Sequence, residues 1–355
     1  MEKKQLEDSQ EKIEYYDGTK LLSLLDLNGN RPEIYICTSN RSAGKTTYFG
    51  RKLINNFKRD SKKFALLYRF NYELDSISDK FFKDISGLYF KYDTMRNVPK
   101  AKGIFHELFL NDESCGYAIS LNSADQLKKY SHLFSDVYQI LFDEFQSETN
   151  HYCNNEVGKF ISIHSSIARG QGKQSRYVPV YMVGNPVTIL NPYYVSMGIS
   201  SRITSNTKFM RGDGWVLEQG YNASASKALS ETGFMKAFSS EKYADYASEG
   251  KYLNDDETFI EKPDGYGRYV CTLKFKGKLY GIREYQQLGI CYCDDSPDVT
   301  FPVKITVTTD DHDVNYLMLR NNSIILDKYR YLFERGCFRF KNQLCKEALL
   351  TALSY

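Results

Sequence analysis

The sequence has no run of about 18 apolar residues, which excludes a helix that spans a bilayer. It has no C-x-x-C pair and only five histidines in 355 residues, so a zinc site of the usual ligand spacing is excluded. Its eight cysteines stand singly apart from Cys291-Tyr292-Cys293 and read as reduced, buried thiols. The first residues, Met1 to Asp8, lack the apolar stretch of a signal peptide, so the chain is expected to act inside a cell. Acidic and basic residues nearly balance, at 44 and 47. A net charge of +3 permits contact with nucleic acid without demanding it. Neither an internal repeat nor a low-complexity tract is present.

What the sequence does have is a pair of motifs. The apolar run Ile34-Tyr35-Ile36-Cys37-Thr38 leads into Ser39-Asn40-Arg41-Ser42-Ala43-Gly44-Lys45-Thr46-Thr47, and a helical pattern follows. Strand, loop and helix in that order form the setting of a phosphate-binding loop. Backbone N–H groups face the phosphates, Lys45 reaches the β- and γ-phosphates of ATP, and Thr46 binds Mg²⁺. Ser39 stands where the usual pattern has its first glycine. Arg41, inside the loop, is close enough to steady phosphate charge in cis, or is a plain surface arginine.

About 100 residues on, a second apolar run, Ile140-Leu141-Phe142, closes with Asp143-Glu144. Adjacent acids at the end of a buried strand are costly unless a cation uses them. The pattern gives Asp143 to Mg²⁺ and Glu144 to the attacking water. Downstream, Val178 to Val183 forms a strand ending at Gly184-Asn185-Pro186; Asn185 is read as a γ-phosphate sensor, with a simple turn role as the competing reading. Between these strands, residues 168–177 form a basic loop with two glycines. If subunits form a ring, Arg169 is the first choice for a finger reaching the neighbour's ATP, and Arg176 the second. Lys128 and Lys129 read as helix-end cations or, for Lys129, as a second trans-acting charge.

Strand candidates at 34–38, 64–69, 116–121, 137–142 and 178–183 alternate with helical patterns at 45–59, 76–84, 123–133 and 155–167. The alternation predicts an α/β domain with a mostly parallel sheet. Residues 1–210 are assigned to it, 211–255 to a linker region carrying a helix over 225–247, and 256–355 to a smaller α+β domain. In that domain Lys276-Gly277 marks a hairpin, strands are expected at 288–293 and 303–308, and helices at 323–333 and 343–353.

The motifs Ser39–Thr46 with its internal Arg41, Leu141-Phe142-Asp143-Glu144-Phe145, and Asn185-Pro186 followed by Asn191-Pro192-Tyr193-Tyr194 resemble those of the genome-packaging ATPases (DNA encapsidation proteins) of small tailed phages of the phi29 type. That resemblance implies a P-loop ATPase of the ASCE class, with Glu144 beside Asp143, in a homomeric ring, expected to have five subunits. It implies double-stranded DNA, a portal (connector) and a procapsid as partners, with a packaging RNA in some members. Its location would be the bacterial host cytoplasm and, transiently, the procapsid. It assigns Arg169, and less directly Lys129, to trans action. It implies a C-terminal domain that resembles an RNase H-like nuclease fold without its catalytic acids, and the strand at 269–275, with no central Asp or Glu, agrees with a vestigial, inactive site. Asp294, Asp295, Asp310 and Asp311 leave an active two-metal nuclease open as an alternative. A nucleotide switch that moves no DNA is the other.

Overall fold

A computed structural model describes residues 15–76, 78–170, 172–204, 206–319 and 323–354. The Met1–Asp8 segment, read above as lacking a signal peptide, and Gln171 of the basic loop lie outside the described residues. The chain divides into two compact units, Met1–Met197 with Ile203–Asn254, and Gly198–Arg202 with Asp255–Tyr355.

In chain order the first unit contains α1 (Thr19–Ser23), β1 (Ile34–Thr38), α2 (Lys45–Asp60), β2 (Lys63–Tyr68), α3 (Lys83–Tyr89), β3 (Met95–Lys100), β4 (Phe105–Leu110), β5 (Glu113–Ser120), α4 (Ala124–Leu127), β6 (Val137–Asp143), α5 (Glu156–Ile167), β7 (Val180–Gly184), α6 (Pro192–Ser196), β8 (Phe209–Gly212), β9 (Trp215–Gln219), α7 (Ala223–Ser230), α8 (Gly233–Ala237) and α9 (Lys242–Glu249). The strands form one sheet in the order β3-β4-β5-β2-β6-β7-β1-β9-β8. From β5 to β9 all neighbours are parallel, while β3, β4 and β8 are antiparallel additions at the two edges.

Helix α2 shows why this sequence packs as it does. Phe49, Leu53, Ile54 and Phe57 recur at helical spacing, and all four are buried against Tyr35, Phe64, Leu141 and Tyr181 of the sheet. Each such burial is worth roughly 1.5–3 kcal/mol before entropy. The helix stops at Ser61, which turns left-handed and returns its N–H to the Phe57 carbonyl at 2.8 Å. The registers Thr38↔Gly184 and Asp143↔Val183 bring the ends of β1, β7 and β6 to one edge of the sheet. Ligands bind at that edge in parallel α/β folds.

Three expectations change. Residues 211–255 are not a linker: β9 extends the sheet beside β1, with Ile34 opposite Trp215, and the helices that follow belong to the same unit. The single helix expected over 225–247 is three short ones, divided at Thr232 and Glu241. The pattern at 123–133 forms only one α turn before tightening into a 3₁₀ segment, Lys128–Phe134.

The second unit holds β10 (Arg268–Phe275), β11 (Lys278–Tyr285), β12 (Ile290–Asp294), β13 (Lys304–Thr306), β14 (Leu317–Met318), α10 (Asp327–Glu334), β15 (Phe338–Phe340) and α11 (Gln343–Leu353). Its sheet order is β14-β13-β10-β11-β12-β15. β10, β11 and β12 form an antiparallel meander, and β13 lies parallel to β10. A central first strand with this order and these senses agrees with the RNase H-like arrangement expected. Helix α11, capped by Asn342 through the Cys345 N–H at 3.0 Å, buries Leu344, Ala348, Leu349 and Ala352.

Candidate nucleotide site

The loop between β1 and α2 curls around its own lysine. Lys45 Nζ donates to the Ser39 carbonyl (3.1 Å), Ser39 Oγ (2.9 Å), the Asn40 carbonyl (3.1 Å) and Asn185 Oδ1 (3.1 Å). Ser39 is thus no defect in the motif. The left-handed positions of the loop are Ser42 (φ +60°) and Gly44 (φ +92°), so its first position needs no glycine, and the hydroxyl there serves Lys45. A Cβ at Gly44 would also crowd the Tyr15 ring, at 3.1 Å. Burial pushes the Lys45 ammonium down to about 8.

Across β7 from this loop, Thr46 Oγ donates to Asp143 Oδ1 at 3.0 Å, and the Glu144 N–H donates to the same oxygen at 3.0 Å. Asp143 keeps some surface, yet its carboxyl lies among packed atoms. Burial, then the Glu144 charge, pushes it up to about 6. A carboxylate and a hydroxyl beside a phosphate-binding loop form the hard, oxygen-only donor set on which Mg²⁺ binds with substrate phosphates. Because the folded state holds this proton more tightly than the unfolded chain, stability falls as pH rises from about 4 to about 6. Asp143→Asn keeps both hydrogen bonds and removes the charge. Without nucleotide or Mg²⁺ it is expected to stabilise the protein at pH 7.5 by on the order of 1–2 kcal/mol, allowing for partial exposure. Thermal unfolding at pH 7.5 and pH 4 checks this: the gain should shrink towards zero at the lower pH.

Glu144 is exposed and left-handed (φ +49°), an uncommon conformation for a residue with a side chain. A buried pair that no motif announced holds the turn. Arg69, just past β2, donates through Nη2 to the Phe145 carbonyl (2.7 Å) and through Nη1 to the Glu144 carbonyl (3.4 Å). Its Nε is held by Glu156 at 3.0 Å, and Glu156 also accepts from the Tyr193 hydroxyl (2.8 Å) and the Cys153 N–H (2.7 Å). The sequence signal was faint: an acid opening α5, and a tyrosine in the Asn191-Pro192-Tyr193-Tyr194 segment.

The far side of the loop rests on the segment once read as a linker. Asn40 and Asn222 exchange hydrogen bonds, Nδ2 to the Asn222 carbonyl at 3.0 Å and the Asn222 N–H to Oδ1 at 2.9 Å. The Arg41 N–H donates to the Ala247 carbonyl (3.0 Å). Its guanidinium meets Glu148 (3.4 Å) and the Tyr243 hydroxyl. Tyr246 also donates to Glu148, at 2.6 Å. A cleft of about 300 Å³ lined by Ser42, Lys45, Thr46, Thr47, Asp143 and Asn185 opens here. A second, of about 340 Å³ with Tyr16 and Tyr221 in its walls, shares Tyr15 and Ala43 with it.

The remaining candidates separate. Asn185 joins the site through Lys45. Arg169 and Lys129 are exposed and lie elsewhere: the 168–176 loop bonds Arg176 to the Val137 carbonyl at the start of β6, and the Lys128–Phe134 segment leads into the same strand. That is one strand length, roughly 20 Å, from Asp143. Arg176 is not available as a finger. It is buried and donates to the Val137 (3.2 Å) and Ile167 (2.7 Å) carbonyls. In the second unit Asp294 pairs with Arg283 (2.7 Å) and Asp295 with Lys341, while Asp311 accepts from the Lys276 (2.7 Å) and Gly277 (2.6 Å) N–H groups.

A parallel sheet with the phosphate loop on β1, adjacent acids on β6 and β7 inserted between them defines a P-loop domain of the ASCE class. The model of the Podovirus DNA encapsidation protein (Gp16) family matches residues 10–352, so the chain belongs to that family. It is 24% identical over 310 residues to the DNA packaging protein of Bacillus phage phi29, covering 86% of this chain and 89% of the relative. It is 26% identical to that of Bacillus phage B103, over 86% and 92%. Among solved structures it is similar to a chain of the bacteriophage Phi-29 viral genome packaging motor assembly, with a TM-score of 0.70 and 22% identity over 96% of this chain and 99% of that one. A chain of the Phi-28 gp11 DNA packaging motor gives a TM-score of 0.56 at 15% identity, over 97% and 99%. Among the described residues no helix is long and apolar enough to cross a membrane.

Proposed function

We propose that the chain is an ATP-hydrolysing motor subunit that drives double-stranded DNA into a procapsid. The observation that carries the reading is the Thr46–Asp143 pair with Glu144 turned out beside it, across one strand from the Lys45 loop. ATP lies along the loop with its phosphates at the α2 N-terminus and its base in the tyrosine-walled cleft. Lys45 exchanges loop carbonyls for β- and γ-phosphate oxygens. Thr46 and Asp143 would hold Mg²⁺, which would supply positive charge to offset that of the phosphates. Glu144 orients the attacking water and accepts its proton, Asn185 senses the γ-phosphate through Lys45, and Arg41 steadies phosphate charge from within the loop.

Arg169 acts in trans, on the ATP of a neighbouring subunit in a homomeric ring of five, with Lys129 as a second cation. What supports this is its exposure and its distance from the site of its own chain. The ring works on the portal of a procapsid in the bacterial cytoplasm, with a packaging RNA as a further partner. Of the four acids that leave a nuclease open, Asp294, Asp295 and Asp311 are engaged by cations and backbone N–H groups, which weighs against nuclease action, while Asp310 is exposed. The test is ATP turnover of the purified chain with and without linear duplex DNA. The motor reading expects stimulation by DNA, intact plasmid and a concentration-dependent oligomer. DNA-independent turnover with no oligomer at any concentration would leave the nucleotide-switch reading instead.

A further inference from the structure

Helix α2 has a second polar end. Its N-terminus cradles the phosphate loop, while Lys52, Asn56 and Arg59, at helical spacing on one face, line a cavity of about 260 Å³ at the opposite edge of the sheet. Arg31, just before β1, and Lys62, just before β2, complete a ring of four cations. Asp60 pairs at the rim with Arg59 (2.8 Å) and Lys62 (2.9 Å). Among the described residues no carboxylate pairs with Arg31 or Lys52.

Helix-end cations are ordinary partners of the helix dipole, and that accounts for Arg59. It does not account for Lys52, two turns earlier. Burial, and then the charges of Arg31 and Arg59, hold its ammonium below the usual lysine range. Its Nζ lies 5.9 Å from the centre of the Tyr181 ring, while the Arg31 guanidinium lies 4.5 Å over Tyr177. An independent observation points the same way. Gln139, in the cavity wall, is 3% exposed; its Oε1 accepts from Asn56 (2.9 Å), and its Nε2 is buried without an acceptor. A buried amide donor left unpaired is costly, and it stands here beside positive charge that no carboxylate pairs.

We propose that this cavity is a second anion site that takes the phosphate group of a nucleotide, free or within a nucleic-acid chain, bound by Lys52, Arg31 and the Gln139 amide. It does not depend on the motor reading, because it lies at the far edge of the sheet from the ATP cleft. The experiment uses the full chain with its phosphate loop filled by a non-hydrolysable ATP analogue and Mg²⁺. Inorganic phosphate, and then a short oligothymidylate, are titrated in by calorimetry. The wild type should bind phosphate; Lys52→Met should weaken it about tenfold or more, and Gln139→Glu, nearly isosteric, should abolish it. Lys52→Arg should retain it, and ATP turnover should be unchanged in Lys52→Met. Displacement of phosphate by the oligonucleotide assigns the ligand to nucleic acid, and failure to displace assigns it to a free phosphate compound. Equal phosphate affinity in the wild type and Gln139→Glu, or no binding to the wild type at millimolar phosphate, overturns the proposal. If Lys52→Met does not fold, the Lys52→Arg and Gln139→Glu pair decides.

Discussion

Arg169→Ala is expected to lower ATP turnover of the assembled oligomer by about 10³-fold, the lower end of what an arginine finger supplies to phosphoryl transfer. Arg169 is exposed, and its loop is tied to the start of β6 while Asp143 closes the other end of that strand. Its own chain's phosphates are therefore out of reach, and the loss should appear only in the oligomer. Mixing Arg169→Ala subunits with Lys45→Ala subunits provides the sharper measurement. Each variant is inactive alone, one for want of the finger and the other for want of the phosphate lysine. In a mixed ring some interfaces join an intact loop to an intact finger, so part of the activity should return. Full turnover by Arg169→Ala alone would remove the assignment. Arg176→Ala would act differently: it removes hydrogen bonds to two buried carbonyls and should lower the unfolding temperature of the monomer.

Glu144→Gln should reduce turnover by 10²–10⁴-fold, roughly the contribution of a positioned general base, while nucleotide still binds. Separation of the two effects is expected from the geometry. The Glu144 side chain is exposed at the cleft, whereas Lys45 and Thr46 are fixed by contacts made with Ser39, Asn185 and Asp143. Equilibrium binding of a fluorescent ATP analogue alongside steady-state hydrolysis distinguishes a lost base from a collapsed site. A parallel loss of binding would mean that Glu144 supports the loop and does not act on water.

The site's centre was legible because its chemistry is compact in sequence. Ser39 to Thr46 follows one buried strand, and Asp143-Glu144 stands out as two acids closing another. Helix α2 announced itself through Phe49, Leu53, Ile54 and Phe57. The supports were not legible, because each joins segments far apart in the chain. Arg69 finds Glu156 across 87 positions and Asn40 finds Asn222 across 182, and nothing in spacing or composition marks either pair. The supposed linker was misread for a physical reason. Its glycines, serines and alanines signal turns and small helices, but Asp213-Gly214 between Met210 and Trp215 is also a hairpin signal, and that hairpin joins the sheet. The edge strand β3, with Pro99 and Lys100 and little burial, gave no alternation to detect.

The four acceptors gathered around Lys45 carry one more consequence. Ser39, Asn40 and Asn185 together satisfy the ammonium that, on the motor reading, phosphate oxygens would take over. A serine in the first position of the loop thus adds its hydroxyl to the polar shell that a nucleotide bound there would have to displace.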